Sequence, residues 1–189
     1  LLPGSRGSEV ARLARPFLEA AQRCQRERPE LRFVAPMAST ALGEQFEAAR
    51  RRYAPDLDLD IIDGRAQECI CAADAVLVAS GTATLETMLF KRPMVVAYRL
   101  AAPTYWLVRA LRLIKISNVA LPNLLARRTL VPELIQSQVT GERLAAELLA
   151  WVDHPERGRA LAESFAELHR QLRRGASASA AEGIAGLLG

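Results

Sequence analysis

The chain has 189 residues, 50% of them hydrophobic and 24% charged, a balance typical of one globular domain with room for an appended helical tail. No apolar run approaches the roughly 20 residues that a membrane-spanning helix needs, and two histidines and three cysteines without paired spacing disfavour a metal site or a disulfide framework. The net charge of +4 is uneven: no acidic residue lies between Glu86 and Glu133, and this basic segment predicts an anionic partner.

Strand and helix signals alternate along the chain. Leu1 and Leu2 end an apolar strand, and apolar residues at helical spacing from residue 7 to about residue 27 predict a long amphipathic helix. Later strands, with helical segments between most of them, are predicted at 31–35, 57–62, 75–79, 93–98 and 118–121. This alternation predicts a doubly wound α/β fold with a parallel sheet.

The C-terminal part has a different pattern. From Pro132 onward the sequence is alanine-rich with helical spacing, and Gly141, Pro155 and Gly175 divide it into three or four predicted helices. We therefore predict an α/β domain over residues 1–139 and a helical tail over residues 140–189. Because the chain starts at the end of a strand and without an initiator Met, we expect a fragment with a truncated first strand.

The first candidate loop follows Leu2 and contains Gly4, Ser5 and Arg6. Ligands of open parallel sheets bind beyond the carboxyl ends of the strands, and the N-terminus of the following helix favours an anion. Glycine lets the backbone approach a phosphate, and an arginine adds a charged contact. The alternative is a plain glycine turn, with Ser8 as the helix N-cap and Glu9 in the first helical turn.

A second loop of the same kind contains Ser80, Gly81 and Thr82 after the most apolar strand. Its amides and hydroxyls are suited to a diphosphate. Glu86 falls one helical turn further on, where a carboxylate can accept hydrogen bonds from the two hydroxyls of a ribose. The alternative for Glu86 is a surface charge near a helix N-terminus.

A third group consists of Asn123, Glu133 and Gln136, whose side chains suit sugar hydroxyls or an amide. In the alternative interpretation Asn123 caps the turn after Pro122, and Glu133 starts a helix opened by Pro132.

The segment without acidic residues contains aromatic and basic residues close together. Tyr105 and Trp106 precede Arg109, Arg112 and Lys115, a pattern found in helices at membrane interfaces. An ordinary surface helix with a buried aromatic face is the alternative. Nucleic acid is disfavoured as a partner, because the segment carries no recognised nucleic-acid-binding motif.

Taken in order, these segments resemble the lipid-A-disaccharide synthase family of glycosyltransferases. The resemblance covers the chain from residue 1 to the helical tail, and its matching stretches read LPGSRGSE at 2–9, ASGTATLE at 79–86, PMVVAYR at 93–99, LPNLLA at 121–126 and VPELIQ at 131–136.

The resemblance implies the GT-B architecture, in which two Rossmann-like domains face each other across a cleft. Residues 1–139 would be the C-terminal nucleotide-sugar-binding domain, partnered by an N-terminal acceptor domain outside this chain. The implied reaction moves 2,3-diacylglucosamine from UDP-2,3-diacylglucosamine to lipid X (2,3-diacylglucosamine 1-phosphate) with inversion, giving the β-1,6-linked lipid A disaccharide 1-phosphate and UDP. No metal or cofactor is expected, and the catalytic base is expected in the N-terminal domain.

The resemblance also assigns site residues. It implies that the diphosphate binds to Gly4, Ser5, Arg6, Ser80, Gly81 and Thr82. Glu86 would bind the ribose, and Asn123, Glu133 and Gln136 would lie near the sugar or phosphate. Arg99 would join Arg109, Arg112 and Lys115 in facing the acceptor or the cytoplasmic surface of the inner membrane, where the protein would be peripheral. Whether it forms a homodimer stays open.

Two alternatives remain at the level of sequence. One is a different GT-B type enzyme, such as the UDP-N-acetylglucosamine transferase of peptidoglycan synthesis or a UDP-N-acetylglucosamine 2-epimerase, which share the use of a glutamate on the ribose. The other is a nucleotide-binding module that is catalytically inert by itself.

Overall fold

The computed structural model describes residues 1–100 and 119–173, and within these ranges strands and helices alternate. The strands are β1 (Phe33–Met37), β2 (Leu59–Asp63), β3 (Val76–Ala79), β4 (Met94–Tyr98) and β5 (Glu133–Ile135). The helices are α1 (Gly7–Glu27), α2 (Thr40–Tyr53), α3 (Ala66–Ala72), α4 (Thr82–Leu89), α5 (Leu121–Ala126), α6 (Gly141–Val152) and α7 (Pro155–Leu172), with a short 3-10 helix at Gln136–Gln138. The predicted α/β class is confirmed.

All the described strand pairs are parallel, and the first two residues connect the two-stranded sheet to the three-stranded one. β1 pairs with β2, and β4 lies between β3 and β5. Between these groups the Leu1 amino group donates to the Val34 carbonyl oxygen at 2.7 Å. On the other side the Leu2 amide donates to the Leu77 carbonyl, and the Ala79 amide donates to the Leu2 carbonyl, both at 2.8 Å. The order is therefore β2, β1, the 1–2 segment, β3, β4, β5, with the earliest segment in the middle.

Helix α1 connects the two halves of this sheet because two of its faces are buried. One face packs with β3, β4 and α6 in the larger core, through Leu13, Phe17, Ala20 and Cys24. The other packs with β1 and α2 in a second core, through Val10, Ala14, Leu18 and Ala21. The apolar residues of α1 recur every few positions, and at 3.6 residues per turn they cover two adjacent faces of the helix.

The chain between β4 and α6 differs from the sequence-based expectation. The last strand was predicted at 118–121, but Leu121 begins the short helix α5, with Pro122 in its first turn, where a missing amide hydrogen costs nothing. The strand forms instead at β5, within a region predicted to be helical. There the Val96 amide donates to the Pro132 carbonyl at 3.0 Å, and Leu134 is buried against the core.

Helices α6 and α7, which lie in the predicted tail, contribute side chains to the larger core. Leu144 and Phe165 are fully buried there. Helix α6 packs on α1, and α7 packs on α4. Among the described helices none is both long enough and apolar enough to cross a membrane.

Gly141 supports the close crossing of α6 over α1, and its replacement by alanine should destabilise the fold. A β-carbon at Gly141 would lie 2.5 Å from the Glu19 β-carbon and 3.2 Å from its backbone carbonyl carbon. We expect Gly141→Ala to lower the free energy of unfolding by about 1–3 kcal/mol, the usual cost of overpacking, as measured by urea denaturation.

The control is Gly43→Ala in helix α2. A β-carbon at Gly43 meets only ordinary contacts, at 3.6 Å from Ile61 and 3.7 Å from Asp63. Alanine should therefore be neutral there or stabilise the helix by up to about 1 kcal/mol. Equal denaturation midpoints for the two variants would contradict the proposed role of the helix crossing.

Candidate functional site

The strand order places both candidate loops at one edge of the sheet. The 1–2 segment and β3 are neighbours, and the chain continues from them to opposite sides of the sheet. At such a switch point a crevice forms beyond the carboxyl ends of the two strands. A cleft of about 370 Å³ lies there. Its polar lining comes from both loops, α1 and the end of β4, and comprises Arg6, Glu9, Arg12, Ser80, Tyr98 and Arg99.

A second cleft, of about 410 Å³, lies at the opposite edge of the sheet. Its lining is largely apolar and includes Phe33 and Val76, the first residues of β1 and β3. Because parallel sheets bind their ligands at the carboxyl ends of the strands, the cleft at the switch point is the candidate site although it is slightly smaller.

The first loop turns sharply before α1. Gly4 has φ +124°, and a β-carbon there would lie 2.6 Å from the β-carbon of Glu9, so only glycine fits without a shift. The Ser5 amide donates to Glu9 Oε2 at 3.1 Å, and Arg6 Nη1 donates to Glu9 Oε1 at 3.3 Å. The Arg6 side chain is 79% exposed.

The alternative in which Ser8 caps α1 is wrong. Arg6 occupies the N-cap position, although its side chain does not cap a helix amide, and Ser8 lies inside the helix. There the Ser8 hydroxyl oxygen accepts a hydrogen bond from Arg12 Nη2 at 3.3 Å.

The second loop ends at the N-cap of α4. Gly81 has φ +157° and ψ −162°, a conformation that is essentially restricted to glycine. Thr82, the first helical residue, is exposed. The Ser80 hydroxyl donates to the Val119 carbonyl at 3.0 Å, so that this predicted phosphate ligand also holds the chain that leads into α5.

The two helices at the switch point lack side-chain caps. Among the other described helices, α2 and α6 are capped by Ser39 and Thr140, whose hydroxyls accept from backbone amides, whereas α3, α5 and α7 have no side-chain cap either. At α1 and α4 the N-caps Arg6 and Gly81 provide no such acceptor. Helix N-termini carry unsatisfied amides and a partial positive charge, so both ends at this cleft are suited to an anion.

Glu86 lies one turn inside α4 and is half-buried. No ion pair joins it to another residue in the described part of the chain. Its carboxylate is therefore not committed to a cation there.

Asn123 and Glu133 form an internal polar bracket. Asn123 is fully buried, and its Nδ2 donates to the Val131 carbonyl at 2.9 Å and to Glu133 Oε1 at 2.6 Å. Its Oδ1 accepts from the amides of Leu130 and Val131 at 2.7 and 3.0 Å. Glu133 Oε2 accepts from the Val119 amide at 2.6 Å. Two of the three residues predicted to lie near the sugar or phosphate thus connect α5 to β5.

Gln136 and Arg99 also bind the backbone. Gln136 Oε1 accepts from the Leu100 amide at 3.2 Å. The half-buried Arg99 guanidinium donates to the carbonyls of Gln136, Arg12 and Val139 at 3.3, 3.3 and 2.6 Å. Burial, followed by repulsion from Arg15, lowers the pKa of Arg99. Arg99 also lines the switch-point cleft, so its predicted role toward the acceptor or the membrane stays a prediction, and Arg109, Arg112 and Lys115 lie outside the described residues.

Three polar residues of the cleft, Glu9, Arg12 and Tyr98, were missed by sequence reasoning. Glu9 was considered only as a first-turn acid, and Arg12 was not considered as a site residue. The signal for Glu9 and Arg12 was their position three residues apart in the first and second turns of α1, directly after the glycine loop. Within residues 1–100 and 119–173 no three acidic, histidine or cysteine side chains form a cluster able to hold a metal ion.

Comparison with known proteins identifies the same family along nearly the whole chain. A family model described as lipid-A-disaccharide synthetase matches residues 1–184. Lipid-A-disaccharide synthase of Pseudomonas syringae pv. tomato is 51% identical over 189 residues, which is 100% of this chain and 48% of that protein. The enzyme of Mannheimia succiniciproducens is 45% identical over 192 residues, again 100% and 48%. The chain spans about half the length of the curated relatives that it matches.

Replacing Asn123 should destabilise the fold, since the change would leave buried amides and carbonyls without partners. We expect Asn123→Ala to lower the free energy of unfolding by about 3 kcal/mol, measured by urea denaturation. Gln171→Ala is the control, because Gln171 is exposed and, within the described ranges, donates only to Glu167 on the same helix. If the two variants unfold at the same urea concentration, the polar bracket contributes no net stability.

Proposed function

This chain belongs to the lipid-A-disaccharide synthetase family, and we propose that it is the nucleotide-sugar-binding half of a GT-B type glycosyltransferase. One observation carries the proposal. Helices α1 and α4 begin at the same switch point, and neither has a side-chain cap. The loop before each helix contains a glycine, Gly4 or Gly81, whose positive φ would strain any other residue. A diphosphate is the anion that such a pair of helix ends suits best.

The diphosphate would bind between the two loops. The first amides of α1 and α4 would donate to its oxygens, and Arg6, exposed at the rim, would add a charged hydrogen bond. The charge on the leaving UDP would thus be stabilised by amides, helix dipoles and a guanidinium, without a metal ion.

Glu86 would select the nucleotide. Its position one turn inside α4 lets the carboxylate accept from both ribose hydroxyls while the phosphates lie at the helix start. The lack of an ion pair to Glu86 among the described residues supports this role.

The reaction that we propose for the full-length protein is inverting glycosyl transfer. The 6-hydroxyl oxygen of lipid X would attack C1 of the diacylglucosamine, and the bond between C1 and the β-phosphate oxygen would break, so that UDP leaves with the bonding electrons. The hydroxyl proton would pass to a base in the N-terminal half. This chain alone would then bind UDP without catalysing transfer.

We further propose that the full-length protein works at the cytoplasmic surface of the inner membrane, where acylated substrates reside. Arg109, Arg112 and Lys115 remain candidates for contact with anionic lipid, because positively charged side chains are attracted to that leaflet. Equal binding of the full-length protein to neutral and anionic vesicles would count against this part of the proposal.

Arg6→Ala should weaken UDP binding about tenfold, because a hydrogen bond to a charged group contributes about 1.5 kcal/mol. Calorimetric titration of UDP measures the affinity. The matched control is Arg65→Ala: Arg65 also occupies a helix N-cap and also pairs with a glutamate three residues later, but it follows β2, away from the switch point. Equal losses in both variants would assign the effect to net charge.

Glu86→Gln should weaken UDP binding and leave pyrophosphate binding unchanged, since pyrophosphate has no ribose. Calorimetric titrations of both ligands measure this difference. Glu163→Gln, on the exposed side of α7, controls for the loss of one negative charge. If Glu86→Gln alters both ligands equally, the carboxylate does not act on the ribose.

A further inference from the structure

The Glu9 carboxylate, in the first turn of α1, contacts the loop that the proposed function assigns to the diphosphate. One of its oxygens accepts from the Ser5 amide at 3.1 Å, and the other accepts from Arg6 Nη1 at 3.3 Å. These two groups belong to the predicted phosphate ligands. A carboxylate and a phosphate use the same kind of donor, a backbone amide and a guanidinium, so they compete for these groups.

The loop is shaped to let this carboxylate come close. A β-carbon at Gly4 would lie 2.6 Å from the Glu9 β-carbon and 2.7 Å from Glu9 Oε2. The missing side chain at Gly4 therefore leaves space that the Glu9 side chain occupies.

The same helical spacing elsewhere in the chain does not produce this arrangement. At the start of α3, Arg65 pairs with Glu68, again three residues apart. However, Glu68 accepts only from that guanidinium among the described residues, and a β-carbon at Gly64 would meet nothing within 4 Å. The amide contact and the close approach to glycine are thus not general consequences of an Arg-x-x-Glu helix start.

The Glu9 carboxylate and a diphosphate are both negatively charged, so they cannot bind the Ser5 amide and Arg6 at the same time. Glu9 is the one acidic residue among the described lining residues of the cleft, beside Arg6, Arg12 and Arg99. A diphosphate on the Ser5 amide and the Arg6 guanidinium would bring like charges within contact distance of Glu9. The Glu9 side chain is 29% exposed, so rotation into solvent is open to it.

We infer that Glu9 is an internal competitor for the diphosphate, which holds the loop in shape when the site is empty and turns away when the nucleotide binds. This inference rests on the proposed function. It makes Glu9 a residue that sets the affinity for the nucleotide. Its removal should strengthen binding, an effect that loss of a purely structural contact would not produce.

The test is calorimetric titration of UDP and inorganic pyrophosphate into the wild-type chain and its variants. Glu9→Gln should bind both ligands roughly three- to tenfold more tightly, the equivalent of one competing hydrogen bond of about 1 kcal/mol. Glu68→Gln, which removes the same charge at α3, should match the wild type. In an Arg6→Ala background the gain from Glu9→Gln should shrink, because one of the two contested groups is gone.

Glu9→Asp provides a second variant in case Glu9→Gln folds poorly. Aspartate keeps the charge but is one methylene shorter, so it withdraws the carboxylate from the Ser5 amide, and we expect part of the gain. Circular dichroism before each titration establishes that the variants are folded.

The outcomes separate the two proposals. If the wild type binds UDP and folded Glu9 variants bind it equally or more weakly, the competition is refuted and the proposed function stands. A gain for UDP without one for pyrophosphate also refutes it, because the effect of Glu9 would then lie outside the diphosphate. If no variant binds either ligand, the nucleotide site and the competition fail together.

Discussion

The backbone hydrogen bonds of Leu1 to β1 and of Leu2 to β3 are the interactions on which the rest of the structure depends. Three backbone hydrogen bonds place this short segment in the middle of the sheet. As a result α1 must start at the centre, where it packs into both cores. The loops that begin at Gly4 and Ser80 then leave from adjacent strands. A site built from two helix ends exists only because these strands are neighbours.

The sequence was sufficient for the parts that depend on local pattern. Alternating strands and helices predicted the α/β fold, and glycines after apolar strands predicted both loops. The β5 strand was missed because three residues, Glu133–Ile135, are too few for a periodic signal, and their pairing with β4 is a tertiary contact. Side-chain roles were the least predictable. The motif that contains Asn123 resembles the family, but a motif does not show whether an amide faces a ligand or the protein backbone.

The predicted site residues fall into two layers, according to whether their polar groups are hydrogen-bonded within the protein. Asn123 and Glu133 have their hydrogen bonds filled from within, and they fix the chain at Val119. The Val119 carbonyl accepts from Ser80 and so supports the second loop. Of the second loop and helix α4, Ser80 lines the cleft, Thr82 is exposed, and Glu86 has no ion pair among the described residues. The inner layer therefore holds the second loop, and in the proposed transfer it would keep that helix end in place when charge develops on the leaving group.

The affinity of the site for phosphate has a consequence for turnover in the proposed reaction. A transferase gains nothing from holding UDP more tightly than the transition state, since tight product binding slows release. An empty site with two uncapped helix ends and an arginine would attract any phosphate in the cell. In the inference above, the Glu9 carboxylate, on the helix that follows the loop, lowers the affinity for phosphate and holds the loop in shape. Gly4 permits this arrangement, because the carboxylate can approach the backbone only where no β-carbon intervenes. The glycine and Glu9 therefore act as one unit, and affinity at this loop is set by both.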